Sequence, residues 1–557
     1  MLAGRLVCKH TNVQIWRDKA TYNYGTSYAN GCPMPSDRHH RHRYLIGYAI
    51  DMSVCKSRAR HTCFQQTCVF VMVLMLFCQS AVGQTEREQL PDFGDSAGAI
   101  ISPEQEKQLG EGFMRQMRRY APVITDEEVE DYIQNLGMSL GNLVDYYGEF
   151  TFFMLEVRGI NAFAVPGGFI GVHSGLLLES KSESEVASVL AHEIVHITQR
   201  HTARMIEAQQ RTNIPAMAAL LGAVALAAVN PQAGIGAISA VQGIQAQRQI
   251  NFTRANEREA DRIGIQLLHD AGFNTYSMAD FFSRLQTASR YTDPKFIPEI
   301  LRTHPVTVNR ISEAKERAER LGPAPIREDS YEYHLIRTKL DVRAANDPAS
   351  VKRFYELALR DGTAAHESIA RYGYVLGLTA ASDYKKARIE VAKLMVESPH
   401  ILAFRLAAGQ LELRAGDIPE ALMHYEIAYK EQPESRAAAY GYAHLLNLAG
   451  KPGEAKKQLR NFEFAERGDP RYFKLLAEAE NDLGEKVNSH FSLSQFYRSL
   501  GELRLSLQQL RLAENIPEIT NYQRLRVDAR MDEINEELDQ LEKGTAGRER
   551  QRKERRR

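Results

Sequence analysis

Beyond residue 78 the 557-residue chain has no cysteine; all six lie at Cys8, Cys32, Cys55, Cys63, Cys68 and Cys78. Disulfides and cysteine-held metals are therefore excluded for the remaining 479 residues. The single tryptophan, Trp16, lies in the same early stretch. Net charge is missing too: 70 Lys+Arg balance 70 Asp+Glu, so nothing in the overall charge argues for nucleic acid as a partner. No apolar run reaches the length of about 20 residues that a helix needs to cross a bilayer. What is present is ordinary for a folded protein, with 44% hydrophobic and 25% charged residues. At about 150 residues per domain the length predicts three or four units.

The cysteine-bearing stretch reads as an export signal. Lys56, Arg58 and Arg60 precede the apolar run Val69–Phe77, and Ser80-Ala81-Val82-Gly83-Gln84 supplies a small-x-small cleavage site. That is the secretory pattern of basic, apolar and small-residue regions. Cys78 follows the apolar run, but Phe77 before it is too large for lipoprotein processing. The signal is placed at 52–83, with Met52 as the start of translation. Residues 1–51 show no periodicity and read as a disordered gene-model extension. Removing residues 1–83, with ten basic and three acidic residues, leaves 60 against 67 and a net charge of −7.

After a polar linker at 84–100, Pro103–Tyr120 and Asp126–Leu143 read as helices, the second capped by Thr125. Phe150–Val157 is rich in β formers, and Ala162–Val165 and Phe169–Val172 flank Pro166-Gly167-Gly168 as two strands around a turn. A long helix is expected from Ser182 through Arg204. The Ala/Leu/Val/Gly-rich stretch 214–244 reads as a helical hairpin that could touch a membrane peripherally. Gly322–Ser330 resembles a linker, placed at 322–331.

Beyond it runs a period of 34: Ala387, Ala421 and Ala455 are 34 apart, as are Gly416, Gly450 and Gly484. Helix, tight Gly turn, and helix with a small residue at the crossing is the tetratricopeptide logic. Gly501 with Ser506 in the Ala slot repeats the pattern once more. A repeat domain is therefore placed at 332–543, expected to fold alone from about residue 330, with a basic disordered tail at 544–557.

Chemistry concentrates in His192-Glu193-Ile194-Val195-His196. On a helix, histidines at i and i+4 share a face and can bind one Zn²⁺, while the offset Glu193 can act on water without ligating. Catalytic zinc takes a third protein ligand from elsewhere. Glu257 and Asp261 share a helix face 61 residues beyond His196, so Glu257 can ligate and Asp261 can accept a hydrogen bond from a ligand histidine. Glu259, on another face, is the structural alternative. His304 and Arg310, from a loop-like Thr-His-Pro segment, are candidates to stabilise an oxyanion.

AHEIVHITQRH (Ala191–His201), NEREADRIG (Asn256–Gly264), NAFAVPGGFIGVHSGLL (Asn161–Leu177) and THPVTVNRI (Thr303–Ile311) together resemble the M48 zinc metallopeptidases. The resemblance implies an α+β zincin-like domain, mainly helical with a small sheet, at 101–321, followed by an all-α tetratricopeptide solenoid. It implies one Zn²⁺ held by His192, His196 and Glu257, Glu193 as catalytic base, Asp261 in proton transfer, and attack of zinc-activated water on a peptide carbonyl. His304 is either a stabiliser of the oxyanion or, preferred here, an inhibitory fourth ligand. An export signal ahead of peptidase and repeats resembles periplasmic members that act on unfolded or misassembled outer-membrane proteins and dock the barrel assembly machinery through their repeats. The competing reading is a repeat adaptor or chaperone with little or regulated proteolysis. Phe169–Val172 is expected to pair with an extended substrate.

Overall fold

The computed structural model describes residues 102–205, 207, 253–290, 298–322, 327–362, 366–460 and 469–554. They belong to one compact unit, Asp92–Arg557. The expected extension 1–51, the signal at 52–83, the linker at 84–100 and the hairpin at 214–244 lie outside the described residues. Among those described, no helix is long and apolar enough to cross a membrane.

The chain begins with α1 (Pro103–Tyr120), where Pro103 occupies the first turn and Ser102 and Gln105 form a capping box. Helix α2 (Glu127–Gly141) is capped by the Asp126 side chain, one residue later than the Thr125 cap expected from sequence. Strands β1 (Thr151–Leu155), β2 (Ala162–Val165) and β3 (Phe169–His173) form one sheet in the order β1-β3-β2. The turn Pro166-Gly167-Gly168 makes β2 and β3 an antiparallel hairpin, whereas β1 lies parallel to β3. This corrects the substrate-pairing expectation: β3 is the central strand and both its edges are taken, which leaves β2 as the edge strand on the hairpin side.

Short α3 (Ser174–Glu179) leads into α4 (Glu183–Thr198), capped by Ser182 with Glu183 and Glu185 in its first turn, where they suit the helix dipole. The helix does not run unbroken to Arg204. Gln199 caps it and Arg200 takes a left-handed backbone (φ 50) before helix resumes at 201. Then follow α5 (residues 253–270), α6 (Tyr276–Arg290), α7 (Glu299–Thr303) and α8 (Val308–Leu321). Leu190 and Ile194 from α4, Ile265 and Leu268 from α5, and Met154, Ile170 and Val172 from the sheet are fully buried in one core.

The repeats begin at α9 (Tyr331–Ala344) and continue as paired helices to Leu503–Glu514. Ala387, Ala421 and Ala455 are fully buried at the helix crossings, and so is Ser506. Gly416, Gly450, Gly484 and Gly501 all take positive φ at the turns. Thirty-four residues before Gly416, the same slot holds exposed Ser382 with φ 60. A non-glycine residue is disfavoured there by its Cβ. Ser382→Gly is expected to raise stability by about 0.5–1 kcal/mol, net of glycine's extra unfolded-state entropy. A rise in the urea midpoint checks this; a fall shows that the serine is not strained.

The join between the two parts is extensive. Tyr333, Ile336 and Leu340 of α9 are buried in the same core as α4 and α5, so the first repeat helix closes that core. The Ser330 hydroxyl donates to Glu183 at 2.7 Å, and the Glu183 N–H donates to Asp329 at 2.8 Å, tying the linker to the start of α4. The acidic N-terminal end of α2 meets repeat cations: the cap Asp126 pairs with Lys339 at 2.7 Å, Asp131 with Arg436 at 2.6 Å and Glu127 with Arg471 at 3.1 Å. Burial there pushes the Glu127 carboxyl up to about 7 despite Arg471. The final helix, Asn521–Glu554, extends well into the segment expected to be a disordered tail. Its Arg, Lys, Glu and Gln are good helix formers and no proline interrupts them.

Candidate metal centre and catalytic carboxylate

Mid-helix on α4, His192 and His196 project together, as the i, i+4 spacing requires, and Nε2 of each faces the other at 3.0 Å. Helix α5 crosses α4 closely because Gly264 lies against it: a Cβ there would stand 3.4 Å from the His192 backbone nitrogen. The crossing brings Glu257 in, with Oε2 3.4 Å from His192 Nε2 and Oε1 3.5 Å from His196 Nε2. His304, which caps the C-terminus of α7, enters from the other side. Its Nδ1 is 3.3 Å from His192 Nε2 and 3.0 Å from Glu257 Oε1. His192, His196, Glu257 and His304 thus offer four ligand atoms within 4.8 Å of one another.

Opposed imidazole nitrogens around a carboxylate are the arrangement a divalent cation resolves, because all four atoms carry lone pairs that can point inward. The electrostatics agree. Burial opposes charge on His192, yet bonds to Asp261 and Glu257 outweigh it and push the imidazole up to about 10. Burial would raise Glu257, but its bonds to His192 and His304 hold the carboxyl well below the usual carboxylate range. His196 is lowered by burial and by its charged neighbour His192. Glu257 and Asp261 are thus held ionised at the centre of the cluster, and their negative charge is what a dication would meet.

Glu193 is 1% exposed, and its Oε1 finds no hydrogen-bond partner among the described residues. His304 Nε2 lies 3.5 Å from the same oxygen. A buried carboxylate beside the four-donor set, and not one of its members, has the chemistry for proton transfer.

Asp261, one turn beyond Glu257, puts Oδ1 3.0 Å from Nδ1 of His192. Both its oxygens accept from Arg310, at 2.7 and 2.8 Å. Arg310 also reaches Glu257 at 2.9 Å and donates to the Pro305 carbonyl at 3.0 Å. Sequence reasoning offered Arg310 for the oxyanion. The structure instead engages its guanidinium with two carboxylates and a carbonyl, over the Phe282 ring.

The comparisons with known proteins follow this geometry. Residues 125–318 match peptidase family M48, and residues 412–479 match the tetratricopeptide repeat. A putative beta-barrel assembly-enhancing protease of Vibrio cholerae is 35% identical, over 82% of this chain and 94% of its own. The chain belongs to peptidase family M48. Another relative, the beta-barrel assembly-enhancing protease of Escherichia coli K12, is 32% identical over 83% of this chain and 96% of its own. The bovine mitochondrial metalloendopeptidase OMA1 is 30% identical over 31% of this chain and 32% of its own. As an M48 metallopeptidase the chain is a metal-dependent peptide hydrolase, and its tetratricopeptide repeats mark it for protein–protein contact.

Sequence reasoning missed the anchoring role of Arg310 and any role for His201. Both stand in segments already singled out, Thr303–Ile311 and Ala191–His201, but neither sits at a helical spacing from a ligand that would have flagged it.

Proposed function

We propose that the chain is a zinc endopeptidase of the periplasm, exported by the signal at 52–83, that cleaves misassembled outer-membrane β-barrel proteins and aids their assembly. The observation that carries this is the convergence of His192, His196, Glu257 and His304 beside buried Glu193, in one unit with the repeats. Two imidazoles and a glutamate are a catalytic zinc set, and donor separations of 3.0 to 3.5 Å suit bonds of about 2.0–2.1 Å in a tetrahedron. A bound zinc would polarise the scissile carbonyl and bring water's acidity near neutral pH.

His192, His196 and Glu257 would hold the metal. Asp261 orients His192 and is itself fixed by Arg310, which favours positioning over proton transfer as its role. Glu193 takes a proton from the attacking water and returns it to the leaving amine. His304, whose Nδ1 stands beside His192 and Glu257, would keep the site closed until its segment moves. With β3 enclosed, the edge of β2 that pairs with no strand among the described residues is the place for an extended substrate to add, since Ala164 and Val165 lie beside His196 and Ile197 in one cleft. The relatives' names supply the client class. The repeats recruit the client or the outer-membrane assembly machinery.

The test uses the full mature protein and an urea-denatured β-barrel protein diluted into buffer. Chelated protein is expected to lose cleavage and recover it with one equivalent of Zn²⁺; the same client folded in detergent should resist. Cleavage unchanged by chelation defeats the metal reading. Zinc binding without cleavage, with client aggregation suppressed, favours the adaptor reading.

A further inference from the structure

The outer edge of His196 is also held. Its Nδ1 lies 2.9 Å from Nδ1 of His201, the rings meeting edge to face. Nε2 of His201 lies 3.2 Å from Glu259 Oε2, which also accepts from Arg204 at 3.0 Å. His201 is buried at 4% exposure. Glu259 is the carboxylate that sequence reasoning set aside as facing away from the metal, and it does face away; it reaches the site through His201.

Proton bookkeeping on this chain has one solution. Nε2 of His196 points at His192 and Glu257, so when it offers its lone pair to a cation the ring proton sits on Nδ1. Nδ1 of His201 must then be the bare acceptor, which places its own proton on Nε2, facing Glu259. Glu259 accepts, with Arg204 as its second donor. The pattern parallels the support of His192, where Asp261 meets Nδ1 and Arg310 grips Asp261. Each ligand histidine thus leads outward to a carboxylate, and each carboxylate to an arginine.

The backbone is shaped for this contact. Had α4 continued unbroken, position 201 would stand five residues beyond His196, on another face of the helix. The left-handed turn at Arg200, a residue without glycine's freedom, ends the helix and returns His201 over His196. Arg200 is anchored there by Glu106 at 3.2 Å.

The geometry points to His201 as a positioning residue that, with Glu259 and Arg204, fixes the tautomer and orientation of His196 for metal binding. This rests on the reading that His192, His196 and Glu257 hold a metal. Outer partners of ligand histidines are worth about 10–100-fold in metal affinity or activity. The experiment measures zinc affinity of the full mature chain by competition with a chelating dye, and the visible spectrum of the cobalt-substituted protein. His201→Phe, which keeps a ring but has no acceptor, is expected to weaken zinc about 10–100-fold and shift the cobalt bands. His201→Gln should recover part of the affinity, because its carbonyl can accept from His196 and its amide can donate to Glu259. Glu259→Ala should weaken zinc in the same direction by less, without emptying the site. Wild-type zinc affinity and cobalt bands in His201→Phe overturn the inference. If His201→Phe does not fold, Glu259→Ala decides, its carboxylate being partly exposed: unchanged affinity and bands overturn the inference equally. A wild-type chain that binds no zinc overturns the metal reading and this inference with it; one that binds zinc while the variants match it overturns the inference alone.

Discussion

Glu193→Gln should lower peptide turnover by about 10²–10⁴-fold while the metal content stays at the wild-type level. Glutamine has the same shape as glutamate, so the core around this 1%-exposed side chain is preserved. Glu193 is outside the donor set, so the metal keeps its ligands. What is lost is a carboxylate able to accept a proton. Glu257→Ala should remove activity by a different route, because the carboxylate that meets both His192 and His196 is gone and the metal leaves with it. Turnover of a fluorogenic unfolded peptide, read beside metal analysis of the same sample, separates the two. If Glu193→Gln stays within tenfold of wild type, the base lies elsewhere. If Glu257→Ala keeps its metal, the assignment of the third ligand fails.

His304→Ala should raise turnover, by about tenfold or more, with no partner added. The argument is one of populations: an enzyme whose competent form is a fraction of the total has its apparent activity reduced by that fraction. In this structure His304 Nδ1 stands 3.0 Å from Glu257 Oε1 and 3.3 Å from His192 Nε2, in the place a substrate carbonyl or water needs. The bonds that retain the segment include the His304 N–H to the Ile300 carbonyl and Arg310 to the Pro305 carbonyl, so opening requires the Thr-His-Pro stretch to shift from the arginine that also braces Asp261. Removing the imidazole opens the site without that movement. Self-cleavage on storage and peptide turnover are the measurements. A clear fall in turnover at unchanged zinc would sink the plug and assign His304 to the oxyanion instead.

The parts of this protein that could be read in its sequence are those set by interactions within a few residues. The i, i+4 rule alone puts His192 with His196 and Glu257 with Asp261. Ser102 and Ser182 mark helix starts through caps that act over three residues. The 34-residue period exposes the repeats because every unit needs the same small crossing residue and the same left-handed turn, down to Ser382 where glycine is absent. The meeting of His304 with the α4 histidines, the enclosure of β3 by both other strands, the entry of Tyr333 into the peptidase core and the return of His201 over His196 depend on contacts between residues far apart in the chain or on a single backbone turn. Arg200 carries no glycine or proline signal, so the helix break it makes was invisible. The sequence by itself determined which side chains are chemically competent and on which helix faces they lie. Only the tertiary structure decided which of them meet, because that depends on how close two helices can pack, and where buried charges such as Asp261 and Glu259 find the arginines that balance them.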